Sequence, residues 1–309
     1  MIKRILTLVL LAAGFCAAAQ TTADQFASRY ATLVKNVGVA GVGVETLLDK
    51  WEAAYPQDVE MNFAKFLFHF SKSQSTEVVQ KSRNRYLGQE PLMSLKDSLG
   101  IPVYFFQENV YDDAVFGLAL QYLDKAIQKA PNRLDMRLYR VSALVGYEKE
   151  SPDMATSELR GLIDYNFTRK PAWEYPGLES VSADFFDVSI QEYCFTFFRY
   201  ASPSCYEAFK SLSEKMLSFE KDNPLFVNNI GSYYLVYAHD NRKALKCYNQ
   251  VLKKHPDDLT AINNCIILAR NSKDVKMEKK YLPMLIKYSP DEKTVESAKI
   301  RLEALSTKK

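Results

Sequence analysis

The side chains able to do acid, base or metal chemistry are few and scattered along the chain. There are three histidines, His69, His239 and His255. His69 stands among phenylalanines in FAKFLFHF, where a lone imidazole is expected to be a hydrogen-bonded core residue rather than a base or a ligand. His239 falls in the turn YAHDN, and His255 directly precedes Pro256, where a cation can support the last carbonyls of a helix. No nucleophile is placed beside either one. The sequence has no H-E-x-x-H, no G-x-S-x-G, no calcium loop and no cysteine and histidine cluster at metal spacing. It therefore predicts no catalytic residue, no metal ligand and no cofactor, and the chain reads as a non-enzyme. Asp257 and Asp258 fit the start of a helix better than a metal site. Gly38, Gly41 and Gly43 lack the Gly-Lys-Ser/Thr ending of a phosphate-binding loop and follow a helical pattern, so they read as a connection.

Cys194, Cys205, Cys247 and Cys265 lie in the body of the chain. A bridge from Cys194 to Cys205 across Ser202, Pro203 and Ser204 is one possibility. The other, favoured because no C-x-x-C is present, is that all four are small buried hydrophobes on helix faces. Aromatics are abundant, and Trp173, Tyr175 and Tyr193 could stack on a sugar. In SADFFDVSIQEYCFTFFRYA, however, aromatic positions recur on several helix faces, which predicts core.

The elements that would position these residues are helical. With 19 Tyr and 18 Phe against 11 Gly, the composition suits packed helices better than a turn-rich sandwich. Hydrophobic residues at 47% and charged residues at 25% exclude a disordered chain. The N-terminal MIKRILTLVLLAAGFCAAAQ has Lys3 and Arg4, an apolar run and then Ala17 to Ala19, the pattern of a secretory signal over residues 1–19. Phe15 stands where lipoprotein signals place a small residue, so lipid attachment at Cys16 is not expected. No later stretch is long and apolar enough to span a membrane. Export would remove two of the 40 basic residues and none of the 37 acidic ones, leaving a charge near +1. That balance predicts no nucleic-acid partner.

Pro256 and Pro290 each close an apolar helical pattern, and the chain between Pro224 and Pro290 carries the clearest periodicity. Ile230, Gly231 and Tyr234 fall on a first helix; Ala244, Tyr248 and Val251 fall on a second, ending at Pro256. Ala119, Leu123, Ala126 and Pro131 give the related order small, large, small, proline, and Val44, Leu48, Trp51 and Pro56 stand in the same relative places as Ala244, Tyr248, Val251 and Pro256. These residues resemble the tetratricopeptide repeat (TPR), a helix hairpin of about 34 residues. In the second copy, Glu278 takes the place of the usual small residue and Pro283 is expected to interrupt the second helix. The stretch from Ser73 to Gln107 is less regular, with Val103 to Phe106 able to form a short extended piece, and Asp164 to Gly177 reads as a long connection.

The resemblance implies an all-α, right-handed TPR-like superhelix with irregular insertions, of the exported kind common in Gram-negative bacteria. Its expected divisions after the signal form one array at 20–309. They are N-terminal helices with an excursion (20–107), central repeats and aromatic helices (108–223), the tandem (224–290) and a closing helix (291–309). The resemblance further implies a non-catalytic scaffold binding a protein or peptide in the periplasm or at the cell surface. By register, the concave face would include Phe63, Leu67, Leu138, Ser142, Asn228, Ser232, Asn263, Ile267 and Arg270. Some members clamp a partner's terminal carboxylate with lysine, arginine and asparagine. Asn264 fits one such place, but Asn228 and Thr294 fill the basic ones, which leaves the clamp incomplete. The alternative is a ligand-handling protein or enzyme for a glycan or small molecule, with its site in the irregular aromatic-rich segments.

Overall fold

The computed structural model describes residues 21–307; the expected signal segment and Cys16 lie outside the described residues. Thirteen helices among the described residues pair into six consecutive hairpins and a closing helix. The first hairpin is α1 (Ala23–Val37) with α2 (Val44–Ala54). The Thr22 hydroxyl caps α1 by accepting from the Gln25 backbone N–H while the Gln25 side-chain oxygen accepts from the Thr22 backbone N–H, a complete capping box. Gly38 and Gly43, both at positive φ, close α1 and open α2. Val44, Leu48 and Trp51 turn the same face of α2 into the core, and Trp51 stacks on Phe26 at 6.0 Å.

The second hairpin is α3 (Val59–Ser73) with α4 (Asp113–Lys129), and the within-hairpin turn between them is replaced by a small sheet. Strands β1 (Gln74–Lys81), β2 (Met93–Lys96) and β3 (Pro102–Tyr111) form an antiparallel sheet in the order β1-β3-β2. The extended piece expected at Val103 to Phe106 is thus part of a ten-residue central strand, paired from Gln74 opposite Tyr111 to Lys81 opposite Tyr104. Phe106 is buried, packed edge-on against Tyr86 of the β1–β2 connection at 5.7 Å. The chain therefore remains a TPR-like helical stack, with a β insertion inside one of its hairpins.

The remaining hairpins are α5 (Leu134–Glu148) with α6 (Asp153–Arg169), α7 (Ala183–Tyr200) with α8 (Pro203–Phe219), α9 (Pro224–Val236) with α10 (Asn241–Lys254), and α11 (Leu259–Asn271) with α12 (Val275–Tyr288). Asp258 caps α11 by accepting from the Ala261 amide, so the Asp257–Asp258 pair does open a helix. Pro283 does not interrupt α12, which runs through it to Tyr288. Helix α13 (Glu292–Thr307) closes the stack, burying Ala298 and Leu305 and leaving a polar back.

The tandem shows why small residues recur. Gly231 on α9 faces the ring of Tyr248 on α10, and a Cβ at that position would fall 2.5 Å from Tyr248 Cε1. Absence of the side chain lets the two helices cross while the fully buried tyrosine fills the groove. Where the second copy departs from this pattern, the fold compensates with charge. Glu278 is buried, accepts from Arg270 on α11 at 2.7 Å and from Arg301 on α13 at 2.9 and 2.8 Å, and so joins three helices. Cys194, Cys205, Cys247 and Cys265 are all free thiols, so the possible Cys194–Cys205 bridge is not formed; all but half-buried Cys247 are buried.

Candidate functional site

The residues expected on a binding face lie on the first helices α3, α5, α9 and α11, and the structure divides them into three groups. Phe63 and Leu67 on α3 are half-buried against the main core, and Phe63 meets Tyr139 of α5 edge-on at 5.2 Å. Leu138 and Ser142 on α5 line a groove of about 320 Å³ against α7, together with Tyr139, Tyr175, Ser189 and Tyr193. A short relay ties the two helices across the groove. Ser142 and Tyr193 share a hydrogen bond of 2.8 Å between their hydroxyls, and Tyr193 Oη donates to the Leu138 carbonyl at 2.8 Å. Burial pushes the Tyr193 phenol up to about 12, so it serves as a neutral donor. Tyr139 lies 46% exposed at the edge of this groove, one side of its ring packed edge-on against Phe63 and Phe66 and the rest open.

In the tandem the expected face is more committed to structure. Asn228 is buried and donates to the N-cap residue Asp258 at 3.1 Å, so its amide positions α11 instead of facing a partner. Ser232 lies 3.4 Å from Tyr248 Oη, and Asn264 donates weakly to it at 3.5 Å. Asn263 and Ile267 are exposed, whereas the guanidinium of Arg270 is engaged with Glu278. Asn263 and Arg270 border a hollow of about 320 Å³ with Lys293, Thr294 and Ser297 of α13. Thus Phe63, Leu67, Leu138 and Ser142 come together around α5, Asn263 and Ile267 stand apart on α11, and Asn228, Ser232 and Arg270 are engaged by partners within the chain.

The aromatic trio of the irregular segments separates as well. Tyr175 and Tyr193 share the α5–α7 groove. Trp173 instead donates to Asn166 Oδ1 at 2.8 Å and stacks on Phe186, with the Arg137 guanidinium over its ring. It is a structural residue. Repeat register alone leaves Tyr139 out of the groove, although its place one residue after Leu138 on the same helix offers the signal.

A charged cluster joins α2, α3 and α4. Lys65 is buried and bonds Asp49 at 2.6 Å and Glu52 at 2.9 Å, while Tyr122 Oη donates to Glu52 at 3.0 Å. Burial works against the Lys65 charge, but the two carboxylates outweigh it and hold the ammonium above its ordinary range. His69 stacks on Tyr122 at 5.5 Å, and burial, helped by the Lys65 charge, holds its imidazole below the usual range. It is a neutral ring packed between α3 and α4. A hollow of about 550 Å³ between α6 and α8 includes Arg160 and Pro203, but Arg160 is occupied by Ser211 Oγ at 2.8 Å. Among the described residues no group of three His, Cys, Asp or Glu side chains is placed to hold a metal, and no helix is long and apolar enough to cross a membrane.

No family model matches the chain, and no curated protein does. Among solved structures it is similar to Pseudomonas aeruginosa PilF, at 9% identity over 90% of this chain and 97% of that one, with a TM-score of 0.37. It is also similar to the flexible tandem repeat domain of a bacterial cellulose synthase, at 14% identity over 93% of this chain and 98% of that one, with a TM-score of 0.28. Both overlaps are loose, and the TPR-like assignment rests on the hairpins and the Gly231–Tyr248 crossing described above.

Proposed function

We propose that this chain is a non-catalytic scaffold of the bacterial cell envelope that binds an extended protein or peptide segment along its first-helix face. The observation that carries this reading is the α5–α7 groove, where Leu138, Ser142, Tyr139 and Tyr193 combine an exposed aromatic, apolar walls and a fixed hydroxyl pair. That mixture suits a peptide, whose side chains need apolar surface and whose backbone needs hydrogen-bonding groups. Ile267, 45% exposed on α11, extends the same series of helices and adds a second apolar contact point. The N-terminal pattern of two cations, an apolar run and three alanines supports an exported location.

Photo-crosslinking side chains placed one at a time test the reading. Replacement of Tyr139 and Ile267 on first helices should capture a discrete partner from envelope extract, while replacement of Lys129 and Lys253 on second helices should not. Equal capture from both faces, or capture from second helices alone, contradicts the assignment of the face.

A further inference from the structure

The β insertion does more than fill a turn. Its β1–β2 connection folds back over the C-terminal end of α7, with Leu87 and Gly88 both at positive φ. A Cβ on Gly88 would lie 3.2 Å from the Arg199 carbonyl oxygen and 3.3 Å from its Cβ, so this turn is closed tightly against the helix. Beneath it is a hollow of about 520 Å³, within the size range of small-molecule sites. Arg83 and Arg85 line it from the insertion, and Arg199, Phe195, Phe198 and Tyr206 from α7 and α8.

Two of the three arginines are already neutralised: Arg83 by Glu150, and Arg85 by Glu90 at 3.0 Å. Arg199 has no acidic partner among the described residues and lies over the Phe195 ring at 5.5 Å. Phe195 is itself 50% exposed, whereas its helix neighbours Phe186 and Phe197 are buried. The hollow therefore presents one uncompensated guanidinium over a phenylalanine ring that stays half exposed. A guanidinium binds carboxylate or phosphate through paired N–H donors, and aromatic faces accept a ring.

We propose that this hollow is a binding site for a small organic anion in which a carboxylate or phosphate is joined to a ring, the anionic group engaging Arg199 and the ring stacking on Phe195. The site shares helix α7 with the α5–α7 groove but none of that groove's lining residues, and it stands whether or not the groove binds a peptide.

Calorimetric titration of the purified chain with phenyl phosphate, glucuronate, inorganic phosphate and phenol tests it. Phenyl phosphate or glucuronate should bind at least about tenfold more tightly than inorganic phosphate or phenol, since anion and ring are both needed. Which of the two binds identifies an aromatic or a sugar ring. Arg199→Ala and Phe195→Ala should each weaken that binding about tenfold or more, the usual effect of losing a charge-assisted bond or a stacking face. Both side chains are exposed, so the variants should keep the parent's helix content and melting temperature. Tyr139→Ala, which alters only the first-helix face, should bind like the parent. Binding of neither ring anion at millimolar concentration overturns the proposal, as does binding that Arg199→Ala leaves unchanged in a folded variant.

Discussion

Asp187 and Glu220 share a single donor: the Asn223 side-chain amide lies 2.8 Å from each carboxylate. The three residues join α7, the end of α8 and the start of α9. Burial first, and then the negative charge of Glu220, raises the Asp187 carboxyl to about 7. The folded state thus prefers this group protonated, while the unfolded chain releases the proton near its ordinary value. Stability from this pair is present at low pH and lost as pH rises through about 7. Asp187→Asn keeps an acceptor for Asn223 and removes the charge. It should match the parent only below the ordinary carboxylate range, at about pH 3, and exceed it at pH 8 by about 1–2 kcal/mol, a figure reduced for solvent at the open side of the site. Urea melts at the two pH values measure this; an equal effect at both would show that the pair does not titrate as described.

The Glu278 cluster has the opposite sign. Arg301 first, and Arg270 after it, hold the Glu278 carboxyl below the usual range. Its contribution is present above the unfolded carboxylate value and disappears as pH falls through the lowered one. Glu278→Ala restores the small residue typical of the repeat, yet should cost about 1–3 kcal/mol at pH 7, moderated because both arginines stay half exposed and rehydrate. That cost should shrink in acid melts. A neutral or stabilising result at pH 7 would mean that the cluster is a surface ornament on an otherwise ordinary repeat.

These two sites mark the limit of what the sequence discloses. Gly231, Ala244, Tyr248 and Pro256 identify the tandem because the close crossing admits few side chains, and the signal is local. Glu278 breaks that signal, and its reason lies in Arg301, on another helix and distant in sequence. The sheet is hidden for a related cause. QSTEVVQK and MSLK are too polar and too short to announce strands; their pairing depends on β3, and α3 and α4 become one hairpin only after the insertion is closed. On the candidate face, helical register finds Leu138 and Ser142 but not the commitments of Asn228 to Asp258 or of Arg270 to Glu278, because register gives direction and says nothing of partners.

The thiols give an independent check on packing. Burial pushes Cys194 up to about 12 and Cys265 up to about 11, and it raises Cys205 and half-buried Cys247 as well. A thiol-reactive dye at pH 8 should label Cys247 before the other three, which should react only as fast as the chain opens. Peptide mapping without reductant should recover Cys194 and Cys205 unlinked. A linked peptide would contradict the free thiols and the contact of Cys205 Sγ with the Lys149 and Glu150 carbonyls.

The close crossing at Gly231 can be separated from helix propensity by comparing two glycines. Gly161, on the exposed side of α6, has nothing within 4 Å of where a Cβ would sit. Gly161→Ala should therefore stabilise the chain by about 0.5–1 kcal/mol, because alanine loses less backbone entropy on entering a helix. Gly231→Ala gains the same propensity but drives a methyl group to within 2.5 Å of a Tyr248 ring that is fully enclosed and cannot swing away. Overpacking of this kind costs about 1–3 kcal/mol, which exceeds the propensity gain, so the net effect should be destabilising. Gly231→Ala combined with Tyr248→Leu should recover part of the loss by vacating the ring. Thermal or urea melts of the four proteins decide it: if both single alanines stabilise, the two helices are not held at the separation that defines the repeat.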